Sequence, residues 1–325
     1  MPQSKPEART RSAPSLSIAS AVLDEASVLP LFLERCLAVL DGLAGSGHEL
    51  VIVDDGSSDG SSEILAEAAA RDERIQVLLL SRNFGHQRAL RCALDHSDGE
   101  VVVLLDGDLQ DPPEAIPSML EQWRAGYDVV YARRVARKEH VLLRAGYFIF
   151  YRLIAMQSAV KLPLDAGDFS LLSRRVVNAM EAAPERHRYL RGLRAWAGFH
   201  QTGIDVERAA REAGQSKYTP LKLLTLAGDG LFAFSTVPLR AASALGCLTM
   251  SLSMAFGLYS LAVKIFFDQS PRGFTALILA IVFLSGIQLL FLGVIGEYLG
   301  RVYDEVKARP PYVIAQHLGS KSKGA

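Results

Sequence analysis

Two long runs of uncharged, mostly apolar residues lie towards the end of the chain and constrain its fold more than any other feature. The first run covers residues 241–263 and the second covers residues 274–296. A helix of about 20 residues crosses a hydrocarbon core of about 30 Å, so each run is long enough to span a membrane. A buried helical hairpin in a soluble protein is the alternative, and the length of both runs argues against it. The sequence therefore predicts two membrane-spanning helices.

The basic residues around these runs predict how the helices are oriented. Basic residues that precede the first run are Lys217, Lys222 and Arg240, and those that follow the second run are Arg301, Lys307 and Arg309. The short link between the runs holds two basic residues against one aspartate. Because the excess of lysine and arginine lies on the cytoplasmic side of a membrane protein, we predict that both termini are cytoplasmic. The protein is then a two-span protein of the cytoplasmic (inner) membrane.

The N-terminal segment and the cysteines agree with a cytoplasmic domain. Residues 1–16 are polar and proline-bearing, without the apolar core of a signal peptide, and are predicted to form a disordered tail. The three cysteines are widely spaced and odd in number, which indicates neither a disulfide framework nor a metal cluster. The formal net charge of zero gives no indication of a nucleic-acid partner.

Short apolar runs alternate with helical patterns in the part of the chain before the spans. The predicted strands cover residues 17–23, 49–53, 76–80, 100–105 and 128–132, and the predicted helices cover residues 29–43, 61–71, 86–96 and 113–124. This alternation is typical of an α/β domain with a doubly wound, mostly parallel sheet, whose ligands bind at the carboxyl ends of the strands.

The composition divides the chain into five regions. These are the tail of residues 1–16, an α/β domain of residues 17–212, juxtamembrane helices of residues 213–236, the two spans within residues 237–300 and a C-terminal arm of residues 301–325. The juxtamembrane region mixes lysines with leucines and phenylalanines, as helices in a membrane interface do. An ordinary amphipathic linker helix is the alternative for that region.

Acidic side chains follow three of the first four predicted strands. They are Asp24 and Glu25 after the first strand, Asp54 and Asp55 after the second, and Asp106 and Asp108 after the fourth. One acidic turn is usually a solvated loop, but acidic turns at neighbouring strand ends favour a shared ligand site. The glycine-rich dinucleotide fingerprint and the phosphate-binding loop motif are both missing from the sequence.

The segment VVVLLDGDLQDPP, residues 101–113, indicates what the ligand is. Its carboxylates repel one another unless a positive group lies among them. Mg²⁺ and Mn²⁺ prefer oxygen ligands and keep places for phosphate oxygens. Asp106 and Asp108 can reach one ion, and Gln110 offers a neutral oxygen beside them. The glycine between the aspartates lets the backbone approach a ligand closely.

These motifs resemble those of the family 2 glycosyltransferases of GT-A fold, in particular the membrane-anchored polyprenyl-phosphate glycosyltransferases. The matching segments are VIVDDGSSDGS, LSRNFGHQRAL, LLDGDLQDPPE, DAGDFSLLSRRVV, RGLRAWAGF, REAGQSKYTPLKL, FSTVPLR and GVIGEYLGRVYDEVKARPPY. The resemblance implies an inverting enzyme that moves one sugar from a nucleotide sugar, such as UDP-glucose, to polyprenyl (undecaprenyl) phosphate at the cytoplasmic membrane face. It also implies a role in the cell envelope, such as lipopolysaccharide modification. UDP is the favoured carrier and GDP remains open.

The resemblance implies roles for particular residues. Mg²⁺ or Mn²⁺ is expected at Asp106, Asp108 and Gln110. The nucleotide is expected to contact Glu25, Asp54, Asp55, Asp106, Arg211, Ser216 and Lys217. Two departures from the family pattern leave the sugar and base preference open: the first strand ends in AVLDE without the usual tyrosine, and the third is followed by NFGHQ where a Lys-Glu pair is common.

The residues expected to carry the transfer itself are Asp168 and Asp108. Asp168 is a candidate base or a carboxylate that orients the acceptor, with a structural ion pair as the alternative. A lipid phosphate is largely dianionic at neutral pH and needs no general base. Arg133, Arg144 and Tyr147 are candidates for the acceptor phosphate, and surface or packing roles are open for each.

Other charged and titratable residues are expected to have roles other than catalysis. The seven histidines show no ligand spacing, and His86 and His96 are expected at the surface. Arg188, Arg191 and Arg194 form a basic cluster that fits loop closure, oligomer contacts or anionic headgroups better than catalysis. Glycines in the second span and the C-terminal arm suit self-association into a homo-oligomer, such as a tetramer.

Two other functions compete with this hypothesis. A processive polysaccharide synthase would carry a Q-x-x-R-W motif and more membrane spans, whereas this chain has RGLRAW and two spans. A non-catalytic membrane scaffold, or a lipid-binding partner of a flippase, would tolerate the loss of the acidic turn residues. Replacement of Asp108 by asparagine separates the scaffold from the enzyme.

Overall fold

The computed structural model describes residues 15–134, 166–183, 190–206, 237–267 and 273–319. The chain divides into two compact units. Of the described residues, the first unit contains the α/β domain together with residues 310–319, and the second contains residues 237–267 and 273–309.

The first unit is built around a sheet in which eight strands are described. They are β1 (Leu16–Val22), β2 (Glu49–Asp54), β3 (Ile75–Leu80), β4 (Val101–Asp106), β5 (Val129–Arg134), β6 (Ala166–Ser173), β7 (Gln201–Val206) and β8 (Ile314–Leu318). Their order across the sheet is β7-β5-β6-β4-β1-β2-β3-β8. Strands β4, β1, β2 and β3 run parallel, as does the pair β5 and β7, whereas β6 and β8 are antiparallel to their neighbours. This is a GT-A-like, mostly parallel mixed sheet.

Helices cover both faces of the sheet. The described helices of this unit are α1 (Leu29–Asp41), α2 (Ser61–Arg71), α3 (His86–Asp95), a 3₁₀ turn (Pro113–Ala115), α4 (Ile116–Arg124), α5 (Arg174–Glu181) and α6 (Leu190–Trp196). Residues that alternate along a strand point to opposite faces. Leu50 and Ile52 of β2 accordingly pack in the core with α1, α2 and α4, and Val51 and Val53 pack in the core with α3, α5 and α6.

The four central strands confirm the sequence prediction because each is apolar and buried on both faces. In β1, β2 and the first five residues of β4 every side chain is buried. Burying a Leu, Ile or Phe side chain stabilises the fold by about 1.5–3 kcal/mol. These strands, with the helices packed on both faces of the sheet, form the core that holds the turns after them in place.

Three strands were not predicted from the sequence. Strand β6 carries the sequence AGDFSLLS, β7 carries QTGIDV and β8 carries IAQHL, and none shows a continuous apolar run. Strand β8 shows that part of the predicted C-terminal arm belongs to the sheet, because it pairs antiparallel with β3 of the same chain. The hydroxyl of Tyr312 donates a hydrogen bond to Asp95 of α3 at 2.9 Å and fixes the arm further.

The second unit contains two long helices, α7 (Val237–Phe267) and α8 (Phe274–Val306). At 1.5 Å per residue they are about 46 Å and about 50 Å long. Their segments Ala244–Val263 and Phe283–Val306 are apolar and long enough to cross a membrane, and no part of either is buried within the protein. Such extensive exposed apolar surface indicates a membrane protein.

Candidate active site

The acidic turns predicted to form one site do lie at one edge of the sheet. Strand β1 lies between β2 and β4, and its last residues are in register with the carboxylates that end its neighbours. Val22 pairs with Asp54 on one side, and Ala21 pairs with Asp106 on the other. The carboxyl edge of the parallel strands therefore carries clustered negative charge, which is where ligands of such sheets bind.

The turn after β4 holds the aspartate pair against the end of β1. A Cβ atom added to Gly107 would lie 2.5 Å from Cγ1 of Val22 and 3.4 Å from the carbonyl oxygen of Ala21, so only glycine fits there. The backbone N–H of Gln110 donates to Asp108 Oδ1 at 3.1 Å. Leu109 has a φ of 54°, a left-handed conformation that is uncommon for leucine. Gln110 itself is buried.

Asp54 and Asp55, predicted to contact the nucleotide, are both buried and organise the surrounding loops. Asp54 Oδ1 accepts hydrogen bonds from the N–H and hydroxyl of Ser57, and its Oδ2 accepts from Ser62. Asp55 accepts the backbone N–H groups of Phe84 at 2.7 Å and Gly85 at 2.9 Å. Burial raises the pKa of Asp55, although these two N–H groups oppose the shift. Asp55 therefore fixes the loop that leads into α3.

Glu25 lies on the turn after β1, beside the Asp54 loop. Its backbone N–H donates to the hydroxyl of Ser61 at 3.1 Å. The preceding residue, Asp24, has a φ of 54° and accepts the N–H of Ser58 at 2.7 Å. The two turns are thus tied to one another, as a shared nucleotide site requires.

The structure brings together three side chains that the sequence does not group. His86 Nε2 lies 3.2 Å from Asp106 Oδ1, and one ligand atom from each of His86, Asp106 and Asp168 falls within 4.8 Å of the others. Burial lowers the pKa of His86, but the hydrogen bond and charge of Asp106, with the charges of Asp168 and Asp108, raise it above its usual value. His86 is exposed, as expected from the sequence, but its imidazole also contacts the carboxylate of Asp106, which the sequence did not indicate.

Two arginines of the predicted basic cluster, Arg191 and Arg194, lie on α6 beside the site, whereas Arg188 lies outside the described residues. Arg191 Nε lies 3.1 Å from Asp168 Oδ1. Arg194 is only 2 % exposed, donates to the carbonyl oxygen of Gly167 at 3.3 Å and stacks over the ring of Tyr131 at 5.5 Å. Because both arginines come from one short helix, α6 positions the strand that carries Asp168.

The remaining predicted residues are only partly described. Arg133, a candidate for the acceptor phosphate, is half-exposed and pairs with Asp205 Oδ1 of β7 at 3.0 Å. The other predicted residues lie outside the described part of the chain; they are Arg144, Tyr147, Arg211, Ser216 and Lys217. His96 lies at the far end of α3, where its Nδ1 contacts the carbonyl oxygen of Cys92.

The arrangement can hold a divalent cation and orient a reacting group. Ligand atoms of two carboxylates and an imidazole lie within 4.8 Å of one another, and all three side chains are partly exposed to an incoming ligand. Carboxylate ligands suit Mg²⁺ and Mn²⁺, and Mg²⁺ sites commonly keep places for phosphate oxygens. Asp168, held by Arg191, lies at the same point.

Comparison with known proteins shows the family of the chain. The model of the glycosyl transferase family 2 matches residues 17–180. An uncharacterized glycosyltransferase, YkcC, of Bacillus subtilis is 41 % identical over 94 % of this chain and 95 % of its own length. The bactoprenol glucosyl transferase derived from prophage SfII of Shigella flexneri is 38 % identical over 94 % of this chain and 99 % of its own. An undecaprenyl-phosphate 4-deoxy-4-formamido-L-arabinose transferase of Shewanella sediminis is 34 % identical, covering 95 % of each chain.

Proposed function

Because this chain belongs to the glycosyl transferase family 2, we propose that it transfers one sugar from a nucleotide sugar to polyprenyl phosphate. The product is a polyprenyl-phosphate sugar formed with inversion at the anomeric carbon. The relatives named bactoprenol glucosyl transferase and undecaprenyl-phosphate arabinose transferase support this acceptor, since each covers nearly the whole chain. A UDP-linked hexose such as UDP-glucose is the donor we propose.

One observation carries the proposal: the carboxylates of Asp106 and Asp168 converge with His86 at the carboxyl edge of the sheet, in a chain that also carries two helices able to cross a membrane. A nucleotide diphosphate brings negative charge that the carboxylates would repel without a cation. A lipid phosphate is confined to the bilayer surface. The two features together fit an enzyme whose donor is soluble and whose acceptor is in the membrane.

The residues that would hold a divalent cation are Asp106 and Asp108, with the buried Gln110 beside them. Two observations support this placement: Gly107 brings the turn against β1, and the carboxylate of Asp106 lies within 4.8 Å of ligand atoms of His86 and Asp168. When bound, Mg²⁺ or Mn²⁺ supplies Lewis-acid stabilisation of the diphosphate leaving group. Replacing Asp108 by asparagine should therefore lower the transfer rate rather than the amount of folded protein.

The protein's own side chains bind and orient the two substrates. Asp54 and Asp55 shape the loops around the nucleoside through the hydrogen bonds that they accept. Asp168 orients the acceptor, and Arg191 holds that carboxylate in place at 3.1 Å. A dianionic lipid phosphate is already a nucleophile at neutral pH, so Asp168 need not remove a proton.

Further parts of the proposal concern regions around this site. Arg211, Ser216 and Lys217 would close over the diphosphate, and Arg144 and Tyr147 would contact the acceptor phosphate with Arg133. We propose that the catalytic unit faces the cytoplasm from the inner membrane, because the basic residues flank the spans on that side. Self-association through the glycine-bearing spans belongs to the same proposal.

A transfer assay tests the function. Purified full-length protein is incubated with undecaprenyl phosphate, radiolabelled nucleotide sugars and Mn²⁺ or Mg²⁺, and label in the organic phase is counted. We expect label from at least one UDP-sugar to appear in the organic phase. Both EDTA and the Asp106→Asn substitution should abolish this lipid-linked label. Asp41→Asn is the matched control, because Asp41 pairs with Arg74 at the domain surface. Absence of lipid-linked label from every donor would refute the proposal.

The same variants separate the enzyme from a membrane scaffold. A scaffold would keep its cellular function when Asp106 or Asp108 becomes asparagine, because its role would depend on the fold and the spans. An enzyme would lose its cellular function when either carboxylate is replaced. Complementation of a deletion strain by Asp108→Asn therefore decides between the two, provided that the variant reaches the membrane at the wild-type level.

A further inference from the structure

His86 is the first residue of α3 and enters the acidic edge of the sheet from the loop that Asp55 holds. The preceding Gly85 has a φ of 97°, which turns the chain into the helix. The side chain of His86 is half-exposed, and its Nε2 reaches Asp106 Oδ1 at 3.2 Å. It lies among the charges of Asp106, Asp108 and Asp168. The sequence-based hypothesis placed the cation on oxygen ligands alone.

We propose that His86 is a ligand of the catalytic cation and that its imidazole makes the site prefer Mn²⁺ to Mg²⁺. The inference rests on the proposed function, because it concerns the same cation. It adds a nitrogen ligand from the loop after β3 to the oxygen ligands from the turn after β4. The aspartate pair supplies affinity for any hard divalent cation, and His86 determines which cation binds best.

The distances fit one coordination sphere. In an octahedral site with metal–ligand bonds of about 2.1 Å, adjacent ligand atoms are about 3.0 Å apart and opposite ones about 4.2 Å apart. The 3.2 Å between His86 Nε2 and Asp106 Oδ1 is close to the adjacent separation. The third atom, from Asp168, lies within 4.8 Å of both. Asp168 therefore lies beside the proposed ion, where it can orient the acceptor.

Ligand chemistry gives the direction of the preference. Mg²⁺ requires near-ideal octahedral geometry and favours oxygen, whereas imidazole suits transition metals. Mn²⁺ shares with Mg²⁺ a preference for carboxylate ligands, but it belongs to the first-row transition series, whose ions bind nitrogen ligands more readily than Mg²⁺ does. A site with one imidazole and carboxylates therefore gains more affinity for Mn²⁺ than for Mg²⁺. Replacing His86 by glutamine leaves an oxygen in the same region and should remove that difference.

The alternative is that His86 donates a hydrogen bond to Asp106 and orients it without contacting the ion. Both arrangements predict lower activity in a His86 variant, so activity cannot separate them. Hyperfine coupling between the ion and the imidazole nitrogen can, because it requires a direct bond. The experiment is therefore spectroscopic and uses the Mn²⁺ ion itself as the probe.

The test uses full-length protein with ¹⁵N-labelled histidine, bound to Mn²⁺ and UDP. Electron–nuclear double resonance should show a ¹⁵N coupling that disappears in His86→Gln and persists in His96→Gln, the matched control at the other end of α3. Titrations followed by Mn²⁺ electron paramagnetic resonance should show about a tenfold or greater loss of Mn²⁺ affinity in His86→Gln. Mg²⁺, measured by displacement of Mn²⁺, should lose less.

The outcomes distinguish this inference from the function on which it rests. If Mn²⁺ binds, Asp106→Asn abolishes the binding and no ¹⁵N coupling appears, the function stands and His86 is not a ligand. A coupling that survives in His86→Gln also overturns the inference. If Mn²⁺ does not bind to wild-type protein with UDP, both the cation and its histidine ligand are refuted. Circular dichroism of each variant confirms that it is folded.

Discussion

Replacing Gly107 by alanine should damage catalysis far more than stability. Gly107 separates the two aspartates, and an added Cβ would lie 2.5 Å from Cγ1 of Val22. Carbon atoms in contact are normally about 3.5–4.0 Å apart, so one of the two must move by about 1 Å or more. Val22 is β-branched and only 3 % exposed, which leaves it little freedom to rotate. The turn that carries the aspartates will therefore move.

The magnitude follows from these distances. Overpacking of this kind costs about 1–3 kcal/mol in the free energy of unfolding. A displacement of about 1 Å at a catalytic group lowers the rate about 10²-fold. We expect Gly107→Ala to remain folded at 25 °C and to lose about 10²-fold in kcat/KM. The measurements are urea denaturation for stability and sugar transfer to undecaprenyl phosphate for activity, with rates corrected for the folded fraction.

Gly99→Ala is the matched control, because it lies just before the same strand, β4. Its added Cβ would lie 2.6 Å from the backbone nitrogen of Ser17, so this variant should be destabilised at least as much. It lies at the amino end of the strand, away from the aspartate turn, and should keep its activity per folded molecule. Wild-type kcat/KM in Gly107→Ala, or equal losses in the two variants, would refute the reasoning.

Three further predictions concern single side chains. Arg175→Gln should lower the free energy of unfolding by about 1.5–3 kcal/mol without changing KM, because it removes a charged hydrogen-bond donor from the fully buried carboxylate of Asp128; urea denaturation checks this. Burial lowers the pKa of His48, whose Nδ1 accepts the N–H of Leu16, so the folded state binds fewer protons than the unfolded state. The free energy of unfolding should therefore fall as the pH drops from 7 through the lowered pKa. His48→Gln should remove that pH dependence, and an equal dependence on pH in wild type and variant would contradict the prediction. Arg191→Gln should lower kcat about tenfold or more, because Asp168 loses the partner that positions its carboxylate, and should leave the KM for the nucleotide sugar unchanged. A change in that KM alone would instead indicate that the arginine binds the donor.

The sequence predicted the part of the fold in which local pattern and burial agree. Strands β1, β2, β3 and β4 are mostly apolar, and the carboxylates after β1, β2 and β4 mark the ligand-binding edge. Strand β6 was missed because the charged Asp168 interrupts it and leaves only short apolar pieces. The edge strands β7 and β8 were missed because they are mostly only partly buried and mix polar with apolar residues. Their pairing depends on neighbours distant in sequence.

Only part of the candidate site could be predicted from the sequence, for the same reason. Asp106 and Asp108 are adjacent in one turn, and their spacing is visible in the sequence. His86 and Arg191 reach Asp106 and Asp168 only because the sheet brings separate loops together. No periodicity in NFGHQ or RGLRAW indicates these contacts. The one available signal was the position of His86 directly after a predicted strand, on the same edge as the acidic turns.

The central claim is that a divalent cation bound by the turn after β4 connects the protein to a nucleotide diphosphate. The most direct test is a structure of the full-length protein with Mn²⁺ and UDP, with data collected at the manganese absorption edge. The account predicts an anomalous peak between the carboxylate of Asp106 and the diphosphate oxygens. A diphosphate bound at this edge without an anomalous peak beside it, or a manganese peak elsewhere on the chain, would contradict this claim.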